Sequence, residues 1–127
     1  MTRVAVGILR KDGKVLVCQR KKGGRYELKW EFPGGKVEPG ETVLDCLNRE
    51  LREELSIEMQ AIERMELTTA DYSDGGRFEV AYCSISEFIG EPINNVFEEI
   101  RWATLDELRT LDILEGNKDF VARLTHE

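Results

Sequence analysis

The sequence predicts a fold of the α/β or α+β type, a sandwich in which helices pack on a mixed β-sheet, and three observations lead there. The chain begins with strand-like segments around a tight turn, continues with one long amphipathic helix, and then has further strand-like segments before two short helices. We expect residues 1–127 to form a single domain, because this length is typical of one domain and no linker or repeat interrupts it.

The first predicted elements are two strands, residues 3–10 and 15–19, joined by a hairpin turn. Asp12-Gly13 supplies the positive φ angles that a two-residue turn needs. Residues 20–25 are basic and contain two glycines, so we expect a loop, and residues 26–32 are predicted to be mostly extended up to Pro33. Residues 33–41 contain three glycines and two prolines, which predicts an irregular, shaped loop.

The pattern changes to helical periodicity from Thr42, an acceptable N-cap, to Leu55. Its apolar positions recur at helical spacing and no glycine or proline interrupts them. Strands are predicted at residues 58–68, 77–85 and 100–103, with a turn at residues 73–76 between the first two. Thr104 and Glu107 have the spacing of a capping box that opens a short helix, and Asn117 is predicted to cap a last helix that ends near Leu124.

Composition limits the functions that the chain can have. The formal net charge is −7, which disfavours nonspecific binding to duplex nucleic acid or to an anionic membrane. The three cysteines, Cys18, Cys46 and Cys83, have no paired metal spacing and are interpreted as buried free thiols. The longest apolar run near the start is too short for a signal-peptide core or a membrane span, and we expect a cytoplasmic protein.

Three glutamates of the long helix form one acidic patch. With Glu50 at zero and about 100° per residue, Glu53 falls at about −60° and Glu54 at about +40°. Carboxylate oxygens so close together suit Mg²⁺ or Mn²⁺, which proteins hold with carboxylates, water and substrate phosphates. The alternative is a solvated acidic face that pairs with Arg49 and Arg52.

The loop before the helix favours the metal site. Residues 35–57 have the sequence GKVEPGETVLDCLNRELREELSI. This segment resembles the Nudix box, the signature of the Nudix hydrolases, written G-x5-E-x7-R-E-U-x-E-E-x-G-U with U a bulky aliphatic residue. All specified positions match except one, because Ser56 stands where the pattern has its last glycine. At a helix C-terminus this departure predicts local strain without loss of a carboxylate.

The resemblance implies a Nudix fold with a loop-helix-loop box and hydrolysis of a nucleoside diphosphate linked to another group. It also implies that Glu50, Glu53 and Glu54, with the backbone carbonyl of Gly35, hold divalent cations that activate a water. Arg49 is implied to orient an acidic partner, Glu41 or Glu50.

The general base is less defined by the resemblance, because some members use a glutamate of the box and others a glutamate in the loop before the strand that carries the tryptophan. That loop contains Glu98 and Glu99 here, just before Trp102. Glu98 is the candidate and Glu99 the second choice. Both can instead be exposed acids at a strand edge.

The segment Trp30 to Glu38 is similar to the MutT-type branch, whose members cleave nucleoside triphosphates, including oxidised purine triphosphates, to a monophosphate and pyrophosphate. This resemblance makes Asn117 a candidate for base recognition, with a helix-capping role as the alternative. Tyr72, Phe78 and Trp30 can stack on a base, although core packing also explains Phe78 and Trp30. Arg20 is a candidate phosphate contact.

The expected function is therefore metal-dependent hydrolysis of a nucleoside triphosphate by a monomer or homodimer. Two alternatives remain from the sequence: a hydrolase of nucleotide sugars or RNA 5′ ends, which shares the cation site, and a noncatalytic nucleotide sensor. The intact set of box carboxylates favours an enzyme over a sensor.

Overall fold

A mixed seven-stranded sheet forms the centre of the computed structural model, which describes residues 1–125. His126 and the predicted domain end at residue 127 lie outside the described residues. The strands are β1 Thr2–Lys11, β2 Lys14–Gln19, β3 Trp30–Glu31, β4 Gly34–Lys36, β5 Glu58–Asp71, β6 Arg77–Ile89 and β7 Glu99–Ala103. The helices are α1 Val43–Leu55, α2 Leu105–Leu108 and α3 Lys118–Arg123, and a 3₁₀ turn, Glu115–Asn117, precedes α3.

Strand β1 connects the two halves of the sheet. Residues 2–9 run parallel to β6, and residues 4–6 pair with β4 in the antiparallel direction. The last two residues of β1 pair with β2, which also carries β3 and β7, while β5 pairs with the other side of β6. Asp12 and Gly13 have φ angles of 52° and 76°, so the predicted hairpin turn is confirmed.

Helices cover both faces of the sheet, as the predicted sandwich requires. Because side chains alternate along a strand, Ala5 and Leu9 of β1 face one side and Val6 and Ile8 face the other. The first side packs against α1 through Cys46, Leu47, Leu51 and Leu55. The second packs against the C-terminal segment through Leu105, Leu108, Val121 and Leu124. The three cysteines are buried and free, and no helix within residues 1–125 is long and apolar enough to cross a membrane.

Two local predictions were wrong. Residues 34–36 were expected to be irregular but form β4, because Gly34, at φ 151°, brings the backbone against β1 so closely that a Cβ there would overlap the Ala5 carbonyl oxygen. Residues 26–32 were expected to be mostly extended, but Tyr26 and Leu28 have left-handed φ angles of 57° and 60°. The chain therefore turns at residues 26–28 before the short strand β3.

Helix α1 has defined signals at both ends. At its start the Thr42 hydroxyl accepts a hydrogen bond from the Asp45 amide at 3.1 Å, and the Asp45 carboxylate accepts one from the Thr42 amide. At its end Ser56 has φ 55° and ψ 34°, the left-handed conformation that usually selects glycine. The Ser56 amide donates to the Arg52 carbonyl at 3.1 Å, so the helix ends where the sequence predicts.

Candidate active site

Strand β4 places Gly35 directly beside the glutamates of α1. A Cβ at residue 35 would lie 2.5 Å from the carboxyl carbon of Glu50, so a larger residue would displace this carboxylate. The Gly35 carbonyl oxygen lies 3.5 Å from the Cys46 Sγ, whose thiol donates to it and to the Lys36 carbonyl. The first glycine of the box thus places its backbone next to the Glu50 carboxylate, as a cation site that uses both groups would need.

Arg49 holds the loop before α1 against the helix. Its Nε and Nη2 donate to the two Glu41 carboxylate oxygens at 2.8 and 2.9 Å, and its Nη1 donates to Glu50 Oε1 at 2.9 Å. These hydrogen bonds lower the pKa of Glu41 to about 2. The sequence left Glu41 and Glu50 open as partners of Arg49, and the structure brings both into contact with it.

Glu54 is the most enclosed of the three glutamates in the patch. Its Oε1 accepts a hydrogen bond from the Gly34 amide at 3.1 Å. Burial raises the pKa of Glu54 to about 8, and the negative charge of Glu50 adds to the shift. Burial also raises the pKa of Glu50, although Arg49 opposes that shift. Carboxyl groups that resist ionisation together fit a site completed by a cation, because a cation offsets both causes.

The third glutamate, Glu53, is much more exposed than Glu50. Its side chain is 59% exposed and its Oε2 lies 3.6 Å from Nη1 of Arg49. In the part of the chain that the structure describes, no group of three or more Asp, Glu, His or Cys side chains converges closely enough to hold a metal ion. Glu50 and Glu54 therefore lie beside Gly35 and Gly34, whereas the Glu53 side chain faces solvent, and its assignment to a cation site stays a prediction.

A cavity of about 380 Å³ adjoins this patch, within the size range of small-molecule sites. Gly35 and Glu54 line it, as do the aromatic side chains of Tyr26, Tyr72 and Phe78. The ring centroids of Tyr26 and Tyr72 are 5.0 Å apart and those of Tyr72 and Phe78 are 5.1 Å apart. One cavity thus combines a carboxylate of the box, that of Glu54, with a continuous aromatic wall.

The predicted phosphate contact, Arg20, also lines this cavity but is bound to a carboxylate. Its Nη1 lies 3.2 Å from both Glu31 carboxylate oxygens, and its Nε donates to the Arg25 carbonyl at 2.9 Å. Burial raises the pKa of Glu31, and Arg20 opposes that rise. Contact of Arg20 with a phosphate stays a prediction, and Glu31 competes for the same guanidinium.

The helix-capping interpretation of Asn117 was wrong. Asn117 has helical φ and ψ angles, −100° and −7°, and its side chain makes no capping hydrogen bond to α3. Instead Nδ2 donates to the Tyr82 hydroxyl at 2.8 Å, and the side chain lines the cavity although the residue is only 5% exposed. The 3₁₀ turn before α3 explains the difference, because residue 117 already belongs to a helical turn.

The two candidates for the general base lie outside the cavity. Glu98 is exposed, and its Oε1 accepts from the Lys22 amide at 3.4 Å. Glu99 binds Arg101, with Oε2 at 2.9 Å from Nη2. Glu98 lies beside the loop of residues 20–25 and does not line the cavity with Glu54. Its role as the general base therefore stays a prediction.

Sequence reasoning missed three residues at the cavity. Tyr26 and Glu31 line it, and the Asp74 carboxylate holds the Tyr26 loop by accepting from Arg25 Nη2 at 3.0 Å and from the Tyr26 hydroxyl at 2.8 Å. One signal was available, because Glu31 is a charged residue between two aromatic core residues. Trp30, the other predicted stacking residue, is buried in the core and does not line the cavity.

Comparison with known proteins agrees with this architecture. The model of the family described as NUDIX domain matches residues 1–124. An 8-oxo-dGTP diphosphatase from Haemophilus influenzae is 32% identical over 126 residues, covering 98% of this chain and 92% of the relative. The nucleoside triphosphatase NudI of an Enterobacter strain is 30% identical over 123 residues and 87% of each chain.

Solved structures give the same result. A MutT NUDIX hydrolase from Burkholderia pseudomallei superposes with a TM-score of 0.79 at 27% identity, over 98% of both chains. The Escherichia coli ORF135 protein has a TM-score of 0.83 at 28% identity, covering 96% of this chain and 86% of that one. The chain belongs to the NUDIX domain family.

Proposed function

We propose that the protein hydrolyses a nucleoside triphosphate to the monophosphate and pyrophosphate with the help of a divalent cation, Mg²⁺ or Mn²⁺. The observation that carries this proposal is the shared cavity, in which Gly35 and Glu54 of the box line the same space as Tyr72 and Phe78. Carboxylates suit cations that bridge phosphates, and the aromatic rings suit a base. The names of the relatives, 8-oxo-dGTP diphosphatase and nucleoside triphosphatase, support this substrate class.

Within this proposal the glutamates of α1 and the Gly35 carbonyl hold the cations. A bound cation would neutralise charge on the phosphates and lower the pKa of the attacking water. Arg49 keeps Glu50 in place and stays attached to the loop through its two hydrogen bonds to Glu41. Glu98 remains the candidate that takes a proton from the water. We further expect a small nucleotide as the partner and a cytoplasmic location.

A product analysis tests the proposal. The purified protein is incubated with Mg²⁺ or Mn²⁺ and, in turn, with the common nucleoside triphosphates, their oxidised forms, nucleotide sugars and capped RNA. Monophosphate and pyrophosphate from a triphosphate is the expected result. Monophosphate and a sugar phosphate, or a shortened RNA 5′ end, would replace it by the alternative substrate classes, and binding without turnover would indicate a sensor.

A matched pair of variants tests the assignment of Glu53 to the cation site. Glu53→Gln keeps the side-chain shape but removes a charged ligand, and hydrolysis should fall by at least about 100-fold. The melting temperature should not fall, because the Glu53 side chain is exposed and its ion pair with Arg49, at 3.6 Å, contributes little. The control, Glu63→Gln, changes an exposed glutamate of β5 and should leave kcat unchanged. Activity near wild type in Glu53→Gln would remove this residue from the site.

A further inference from the structure

The last turn of α1 is fastened to a loop that the Nudix-box pattern does not include. We propose that Asn95 is a positioning residue that holds the backbone of Glu53 and Glu54 and thereby sets the geometry of the cation site. This inference rests on the proposed function, because it assigns Asn95 a role toward the carboxylates that the proposal uses. Asn95 lies in residues 93–98, named here the β6–β7 strut, which precede β7.

The contacts of the strut fall on carbonyl groups that a helix end leaves without intrahelical partners. Asn95 donates from its amide to the Glu54 carbonyl at 3.0 Å and from Nδ2 to the Glu53 carbonyl at 3.1 Å. The Ile93 amide donates to the Leu55 carbonyl at 2.8 Å. Three successive carbonyls of the turn that carries two of the glutamates are thus bound by one loop.

The remaining contact of Asn95 explains why this helix end needs support. Nδ2 also donates to the Ser56 Oγ at 2.9 Å. Ser56 has the left-handed conformation, which is unfavourable for a residue with a Cβ. It stands at the position where the family pattern has glycine. The side-chain amide of Asn95 therefore binds both the Ser56 hydroxyl and the Glu53 carbonyl, three residues earlier in the chain. This arrangement compensates for the missing glycine by a contact from another part of the chain.

The strut is itself fixed in shape. The Asn94 side chain accepts from the Phe97 amide at 2.8 Å and donates to the Phe97 carbonyl at 2.9 Å, and Phe97 is buried against α1. The next amide, that of Glu98, donates to the Gln19 carbonyl at 2.9 Å. A rigid path therefore connects the backbone of Glu53 to that of Glu98, so displacement of Asn95 changes the separation of the cation ligands from the candidate base.

The test compares Asn95→Ala with Asn48→Ala, which removes another asparagine side chain of the α1 region that contacts a backbone amide, that of Met59. Residues that orient metal ligands typically contribute about 10-fold or more to affinity or activity, so Asn95→Ala should weaken Mn²⁺ binding and lower kcat by about 10-fold each. The KM for the nucleotide should stay unchanged, because Asn95 does not line the cavity. Asn48→Ala should leave the dissociation constant of Mn²⁺, measured by calorimetry, unchanged.

A second pair of variants separates positioning from stability. Ser56→Gly relieves the left-handed backbone, so adding Asn95→Ala in this background should leave a folded protein with a melting temperature near that of wild type. Mn²⁺ affinity and kcat should remain reduced in the double variant relative to Ser56→Gly alone. Recovery of Mn²⁺ affinity together with the melting temperature would overturn the proposal and make Asn95 a stabilising cap only. The Mn²⁺ titration gives this answer even if no triphosphate is hydrolysed.

Discussion

The raised pKa of Glu54 shows how strongly the folded protein disfavours a negative charge at this position. The pKa is about 8 in the folded protein against 4.5 for an ordinary glutamate. Below pH 4.5 the group is protonated in both states and costs nothing. As the pH rises from 4.5 to 8 the unfolded chain loses this proton first, so the free energy of unfolding falls, and above pH 8 the loss levels off.

The size of this loss follows from the shift of about 3.5 pKa units, since each unit corresponds to about 1.4 kcal/mol, and at pH 9 the loss is about 5 kcal/mol. Glu54→Gln keeps an oxygen that accepts from the Gly34 amide but never ionises. Without metal, we expect the variant and wild type to have similar stability at pH 5. At pH 9 the variant should be more stable by a few kcal/mol, or of order 10 °C in melting temperature.

The assay is urea unfolding with a chelator present at pH 5, 7 and 9, with Glu63→Gln as the control that alters an exposed glutamate. Saturating Mg²⁺ should reverse the order at high pH, because the cation stabilises wild type by mass action and loses a charged ligand in Glu54→Gln. A stability difference that is the same at pH 5 and pH 9 would refute the reasoning. It would mean that the Glu54 carboxyl is already solvated in the metal-free protein.

Three further predictions concern the cavity, the loop of residues 23–28 and the ion pair before α1. Asn117→Ala should lower the free energy of unfolding by about 1–3 kcal/mol by removing a buried hydrogen bond to Tyr82, and should reduce kcat/KM more on the preferred nucleotide than on a poor one. Asp74→Ala should release residues 23–28, seen as faster hydrogen exchange there by mass spectrometry, with little change in stability because the contacts are exposed. Glu41→Gln should be less stable than wild type near pH 6 by urea unfolding, and the difference should vanish toward pH 2, since the lowered pKa of Glu41 stabilises only while it is ionised.

Each of these predictions has a result that would contradict it. Equal kcat/KM ratios across nucleotides in wild type and Asn117→Ala would leave Asn117 with only its contact to Tyr82. Exchange in residues 23–28 that is unaffected by Asp74→Ala would show that the other contacts of the loop, among them the cation–π contact between Arg25 and Tyr26, hold it without the carboxylate. A pH-independent effect of Glu41→Gln would assign the stabilisation to packing instead of to the ion pair with Arg49.

The sequence predicted helix α1 because this element depends on local rules. The capping signal at Thr42 and the 3.6-residue periodicity fix the helix, and the helix fixes the side on which Glu50, Glu53 and Glu54 lie. Strand β4 was not predicted, because it forms only through pairing with β1, a contact between segments distant in the chain. Glycine usually interrupts a strand, but at residue 34 it is required by the close approach of the backbone to Ala5.

The residues of the cavity wall were harder to predict for the same reason. Phe78 and Tyr72 were recognised as aromatic candidates, but Tyr26 joins them only because the chain turns at residues with positive φ. No periodic pattern indicates such a turn. Asparagine is a residue type that favours helix N-caps, which is why Asn117 was predicted to be a cap. Its actual hydrogen-bond partner, Tyr82, lies on β6, and only the folded sheet brings the two residues together.

The ion pairs around Arg49 differ in how firmly they hold the glutamates that we propose as cation ligands. Glu41 receives two hydrogen bonds from the guanidinium and Glu50 one, whereas Glu53 lies 3.6 Å from Nη1 and is largely exposed. An exposed contact of this length contributes little, so rotation of Glu53 toward a cation costs little. Arg49 can release Glu53 and remain fixed by Glu41, which keeps Glu50 beside Gly35. Of Glu41, Glu50 and Glu53, the last is therefore the one that Arg49 holds least.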